Sequence, residues 1–279
     1  MGTSTGYDMP KGGDWTPLKR DATKFVKDDG APSGNPNPVQ PEALLSNFLK
    51  TCVTGGANAR VGAGGGAGGG GATPGGGGGG GGGGNGRGGG SGGRSFGRAA
   101  RGAGGALGGF LSRVETVGLD EALREAGLED LIGRPAAEVT AGLLDALAAP
   151  AGTLDEHAAR KALEVINAEM IGGAKNYAEV KGALKNALDK QGLERIVVNF
   201  FGEYLYQNFL RSVYKDWAKK VGADQAGRRL KSIRDCITSA LKSKFVNRDI
   251  SKVRWKGREG RRIIDQVWRG TLKIFGVTP

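Results

Sequence analysis

The sequence predicts an all-α protein: a multi-helix C-terminal bundle over residues 110–279, preceded by a largely disordered N-terminal arm and a glycine-rich linker. Three observations carry this prediction. Beyond residue 110 apolar side chains recur at three- and four-residue spacing, the signature of buried helix faces. No stretch shows the strict alternation of a half-buried strand. The 54 glycines far exceed the usual ~7%, and they crowd into residues 55–109, so the foldable part is shorter than the chain.

Residues 1–41 carry Pro10, Pro17, Pro32, Pro36, Pro38 and Pro41 among scattered charges, which discourages regular structure. They read as an extended arm in which Trp15, Leu18, Phe25 and Val26 anchor to a surface. A short docking helix is expected at about 41–52, with Pro41 at its first position and Leu44, Leu45, Phe48 and Leu49 on one face. The arm thus spans 1–54. Residues 55–109 include ten consecutive glycines at 75–84 and, among their charges, Arg87, Arg94, Arg98 and Arg101. With no side chains to offset the entropy of ordering, this is read as a flexible linker. A coil of about 55 residues spans ~40 Å, enough to present the arm away from the body. A rival reading, an RGG-type RNA-binding tract, has only a few arginines and Phe96 behind it.

In the body, Asp120 and Glu121 open a helix with acids in its first turn. Arg134-Pro135 marks the next start, and Leu143, Leu144 and Leu147 line a face that Pro150 ends. Thr153-Leu-Asp-Glu156 is a capping box, followed by Ala159, Leu163, Ile166 and Met170 down one side. Val180, Leu184 and Leu188 repeat the pattern until Gly192. Leu193–Val221 is the most apolar segment, with large side chains on more than one stripe, and is the expected centre of the bundle. Leu230, Ile233, Ile237 and Leu241, then Ile263, Ile264, Val267 and Trp268, supply closing helices.

The formal charge is +12 and the pI about 9.8, which admits nucleic acid or an acidic partner without choosing between them. Residues 115–170 hold 4 basic and 12 acidic side chains, net −8, whereas 171–279 hold 24 and 10, net +14. Two cysteines, Cys52 and Cys236, make neither a disulfide framework nor a zinc-ligand pair, so a cytoplasmic setting is expected. No apolar run near the start reads as a secretory signal or a membrane span. Gly6 stands where a myristoylation site requires Ser or Thr.

The residues suited to chemistry are few. His157 is the only histidine, so a histidine metal cluster is excluded and it reads as a solvated helix position. The glycine runs lack the Gly-Lys-Ser/Thr of a phosphate loop. Acid pairs such as Glu129-Asp130 and Asp155-Glu156 fall at helix starts, where capping and the helix dipole account for them. No metal, cofactor or catalytic residue is predicted. The densest basic segment, Lys242 to Arg262, groups Arg254, Lys256, Arg258, Arg261 and Arg262 around Trp255, in what reads as a partly exposed turn. Such a cluster suits phosphates with a stacked base or an acidic protein face.

The opening, Met-Gly-Thr-Ser-Thr-Gly-Tyr7 followed by a Gly/Pro turn, Trp15 and Pro17-Leu18, resembles the start of the QatB family of the bacterial Qat anti-phage defence system. The glycine-rich stretch and helical remainder agree with that layout. The small residues after Met1 favour its removal, exposing the α-amine of Gly2 with a pKa near ~8, partly neutral and nucleophilic at neutral pH. The resemblance implies a QueC-like (QatC-type) partner, with an ATPase and a TatD-like nuclease in the same system. Enzymes like QueC activate a deazaguanine carboxylate with ATP for attack by an amine. On this reading Gly2 is the acceptor, Thr3, Ser4, Thr5 and Gly6 form a slender neck, and Tyr7 and Trp15 anchor it to the partner. The alternative is a nucleic-acid-binding helical module using the basic segment; no membrane contact is expected.

Overall fold

The computed structural model describes residues 15–28, 38–55, 96–148, 150–244, 255 and 257–278. Among them are ten α-helices, one 3-10 turn at Glu129–Leu131 and no strand. In chain order the helices are α1 (Trp15–Lys27), α2 (Pro41–Gly55), α3 (Arg98–Val117), α4 (Leu119–Glu125), α5 (Ala136–Leu147), α6 (Leu154–Ile171), α7 (Tyr177–Gln191), α8 (Leu193–Val221), α9 (Ala223–Lys244) and α10 (Arg258–Ile274).

The 29-residue α8 is the axis of the bundle. Its apolar residues cover more than one face because it has neighbours on several sides: α6 and α9 most extensively, then α3, α1, α10 and α7. Phe200, Phe201, Tyr204, Leu205, Phe209 and Val213 are completely buried along it. Gly192, with φ +77°, separates α7 from α8 in a backbone conformation that a side chain resists. The capping box at the start of α6 is present: Glu156 N donates to Thr153 Oγ1 at 3.2 Å and Thr153 N donates to Glu156 Oε2 at 2.8 Å.

Two expectations about the N-terminal third are corrected. The arm does not lack regular structure, because residues 15–27 form α1, with Pro17 tolerated in its first turn. Trp15, Leu18, Ala22, Phe25 and Val26 make one apolar stripe, and all are buried. The surface they anchor to is the bundle itself. Trp15 meets Phe48 of α2 edge to face at 6.1 Å, Phe25 meets Trp217 of α8 at 5.7 Å, and Phe48 meets Phe209 at 5.1 Å. Polar contacts fasten the same helix: Lys220 Nζ donates to Thr23 Oγ1 at 2.9 Å and Gln225 Nε2 to the Val26 carbonyl at 3.0 Å. The α1–α2 pair is therefore part of the core and is not held away from the body.

The second correction concerns residues 98–109, expected to be linker and found in α3. Glycine costs about 1 kcal/mol per position in a helix, and here tertiary packing outweighs it. A Cβ at Gly104 would stand 3.1 Å from Phe201 and 3.2 Å from Phe200, and one at Gly108 would overlap the Trp255 ring. Small residues let α3 approach α8 and Trp255 closely. The remainder of the expected linker up to residue 95 lies outside the described residues.

The acidic helices draw their partners from around them. Asp120 accepts from Lys181 at 3.0 Å and from Tyr177 at 2.6 Å, Glu125 pairs with Arg113, Asp145 with Arg160, and Arg234 bridges Glu169 and Glu203. Apart from the buried Glu203, these pairs are at least partly exposed and contribute little stability each, yet they leave much of the −8 segment matched within the fold.

Candidate functional site

The first candidate from the sequence is the N-terminal tip. Gly2, Thr3, Ser4 and Tyr7 lie outside the described residues, and Trp15 is where the described chain begins. Trp15 was expected to anchor the tip to a partner. Its ring is 4% exposed and packs on the chain's own Phe48 and neighbouring core, so it holds the root of the tip and is withdrawn from any partner surface. From that root an extended chain back to Gly2 reaches at most about 45 Å.

The second candidate is the basic segment, and the structure divides it. Arg254 and Lys256 lie outside the described residues. Arg258, Arg261 and Arg262 belong to the first turns of α10, a helix rather than the expected turn, and all three are exposed. Only Trp255 and Arg261 line a cleft, of about 1170 Å³, bounded by α3, α4, the end of α5 and α10. Its floor is the small-residue face of α3: Gly102, Gly105, Ala106 and Gly109.

The rim of this cleft is charged. Arg101 Nη1 pairs with Asp265 at 3.0 Å, and Arg113 Nε donates to Glu125 at 2.6 Å. Arg261 donates to the Gly257 carbonyl at 3.2 Å. The Trp255 ring covers Gly108, and its Nε1 is buried with no partner among the described residues. The cleft thus combines an apolar floor with a rim of arginines, two of them paired with acids.

Behind the cleft lies a buried network that the sequence did not reveal. Asp155, expected to serve only the start of its own helix, reaches across to cap α3. It accepts from Gly97 N at 3.1 Å and Ala99 N at 2.8 Å, while the Tyr204 hydroxyl donates to it. Tyr204 in turn accepts from Gly97 N at 3.0 Å. Gly97 has φ +77° and lies flat against Trp268, where a Cβ would overlap the indole. Burial, then the charge of Asp155, pushes the Tyr204 hydroxyl well above its ordinary pKa; the same two causes raise the Cys52 thiol. Both remain protonated at neutral pH. No local pattern marks Asp155, because its partners lie 49 to 58 residues away in sequence.

A more polar cleft of about 770 Å³ lies between α6, α8 and α9. There Glu203, 7% exposed, holds Arg234 at 2.9 Å and accepts from Gln207 at 2.7 Å. Desolvation raises the pKa of Glu169, with Arg234 opposing it. Burial and then Glu42 push the Cys236 thiol up to about 12. His157 is exposed on α6. Among the described residues no group of three or more His, Cys, Asp or Glu is placed to hold a metal, and no helix is long and apolar enough to cross a membrane.

Comparison with curated proteins and with solved structures returns no match. A family model does match, that of the Qat anti-phage system associated protein QatB, over residues 88–275. The match takes in α3 to α10 with both clefts and the Asp155 network, and leaves α1 and α2 outside it. A helical bundle matched over this much of its length settles the assignment: the chain belongs to the QatB family and is a component of the Qat anti-phage defence system.

Proposed function

We propose that this chain is a non-enzymatic component that binds a QueC-like, QatC-type partner and presents its N-terminal segment to that partner's active site, with Gly2 as acceptor for conjugation to a deazaguanine nucleobase. The observation that carries the reading is the docking of α1. Five buried apolar residues fix the root of the tip to the bundle at Trp15, so the tip starts from a defined place on it. The chemistry is that of amide formation. The neutral amine of Gly2 attacks the activated carboxylate carbon, the activating group leaves with the bonding electrons, and the amine loses a proton. This chain contributes the amine and its placement, while its buried Asp155, Glu203 and Tyr204 are engaged in hydrogen bonds and an ion pair within the fold. The system's ATPase and TatD-like nuclease are further partners, and the setting is the cytoplasm.

Intact-mass and N-terminal peptide spectrometry of the chain coexpressed with its partner tests this. The expected result is a mass increase confined to the peptide that starts at Gly2, absent in Gly2→Leu, together with loss of phage protection by that variant. An unmodified N-terminus in a fully protective system would end the proposal. A second reading, nucleic-acid binding, draws on the exposed Arg258, Arg261 and Arg262 beside the unpartnered Trp255 indole. It requires that changing those three arginines to glutamate flatten the salt dependence of DNA or RNA binding by roughly one unit per lost contact.

A further inference from the structure

The two ends of the charge distribution are treated differently by the fold. Acids of the −8 segment find cations on neighbouring helices, as described above. The cations around α1 do not find acids to the same extent. Residues 15–28 and 211–231 carry 11 basic and 4 acidic side chains, and packing brings them to one corner. The Lys220–Thr23 and Gln225–Val26 hydrogen bonds and Arg229 stacked 5.2 Å over the Phe25 ring join the end of α1, the end of α8 and the start of α9.

At this corner Lys24, Lys27, Lys219 and Arg228 are exposed, and Lys19 is half-buried. None of the five makes an ion pair with a described residue. The last turns of α1 and α8 favour lysines through their helix dipoles, but bringing both ends together sets like charges side by side. That arrangement is unfavourable for the isolated chain and is relieved by an anionic surface from outside.

We infer that this basic corner is the docking surface for an acidic face on the protein that receives the N-terminal tip. The inference rests on the reading of the tip as a presented segment, and it says where the partner sits. Three features favour a protein face over nucleic acid. The corner belongs to the same helix that roots the tip, so a partner bound here has the tip within reach. Its aromatic rings, Phe25 and Trp217, are 3% and 1% exposed, which leaves no platform for base stacking. The unpaired cations are mostly lysines, point charges suited to steering an encounter rather than to bidentate phosphate recognition.

The test uses the full chain, its QueC-like partner and a labelled DNA duplex. Wild-type association with the partner should slow roughly 10-fold or more between about 50 and 200 mM salt. The variant Lys24→Glu/Lys219→Glu/Arg228→Glu should lose roughly 10- to 100-fold in partner affinity, mainly in the association rate. The matched glutamine variant, which guards against a folding defect from charge reversal, should lose less but in the same direction. Partner affinity that ignores both salt and substitution overturns the inference. So does unchanged partner binding with lost duplex binding, which makes the corner a nucleic-acid surface. If the variants bind poorly while the wild-type tip is never modified, the corner stands and the tip reading fails. If the variants bind and are modified like wild type, the reverse holds.

Discussion

The two helices that meet at the centre, α3 and α8, solve the same packing problem with opposite materials. α8 fills space with Phe200, Phe201, Tyr204, Phe209 and Trp217; α3 yields it, with Gly104 against the two phenylalanines and Gly108 beneath Trp255. Interiors are packed to near-crystalline density, so a ring on one helix needs a gap on the other. The same residue type has a different meaning on α3's far side. A Cβ added at Gly102 would meet nothing within 4 Å, and one at Gly105 would make ordinary contact, at 3.7 Å, with Ile264.

The comparison can be broken in order of severity. Truncating the large partner, Phe200→Ala, leaves a cavity facing a glycine that cannot fill it, and should destabilise by about 3–5 kcal/mol; urea denaturation reads this, and a loss below ~1 kcal/mol would mean α3 collapses onto the space. Filling the small partner, Gly104→Leu, should destabilise by about 1–3 kcal/mol through overpacking, despite leucine's better helix propensity. Asp155→Ala should lower stability by a similar ~1–3 kcal/mol, because the Ala99 amide and the Tyr204 hydroxyl lose their acceptor and the Gly97 amide keeps only Tyr204, and should expose the start of α3 to hydrogen exchange before the rest of the helix; protection equal to wild type there would argue against the cap.

The smaller effects change sign. Gly102→Ala should stabilise by about 0.5–1 kcal/mol, since it gains helix propensity and meets no neighbour, and a melting temperature that falls instead would mean that face is occupied in the folded chain. Deleting the ten glycines 75–84 from the stretch between α2 and α3 should change stability by only ~0.3 kcal/mol if it behaves as the coil its composition predicts. A change of several kcal/mol would assign those glycines a specific structural task.

What the sequence disclosed divides along the same line. α8, the Thr153–Glu156 capping box, the start of α2 at Pro41 and the break at Gly192 were legible because each rests on nearby residues. α1 was hidden by its surroundings: prolines and charges outweighed the stripe Trp15, Leu18, Ala22, Phe25, Val26. α3 was hidden by composition, since glycine that yields space to a ring is indistinguishable in one sequence from glycine in a coil. Asp155 and the cleft over α3 depend on residues brought together by the fold. Of the candidate site residues, Trp15 was read as an anchor and is one, but to the chain's own core; Arg261 and Trp255 line one cleft, while Arg258 and Arg262 are exposed and do not line it.

Residues 56–95 connect two fixed points: the end of α2 and the start of α3 are both built into one bundle. Their covalent continuity is therefore not what holds α1 and α2 in place. A protease cut within that stretch would yield a short fragment carrying the tip with α1 and α2, and a long fragment carrying α3 to α10, joined only by non-covalent contacts such as Phe25 on Trp217, Phe48 on Phe209 and the Thr23–Lys220 and Val26–Gln225 hydrogen bonds. The tip-bearing piece then becomes an exchangeable subunit, whose attachment depends on concentration and which one body can surrender to another.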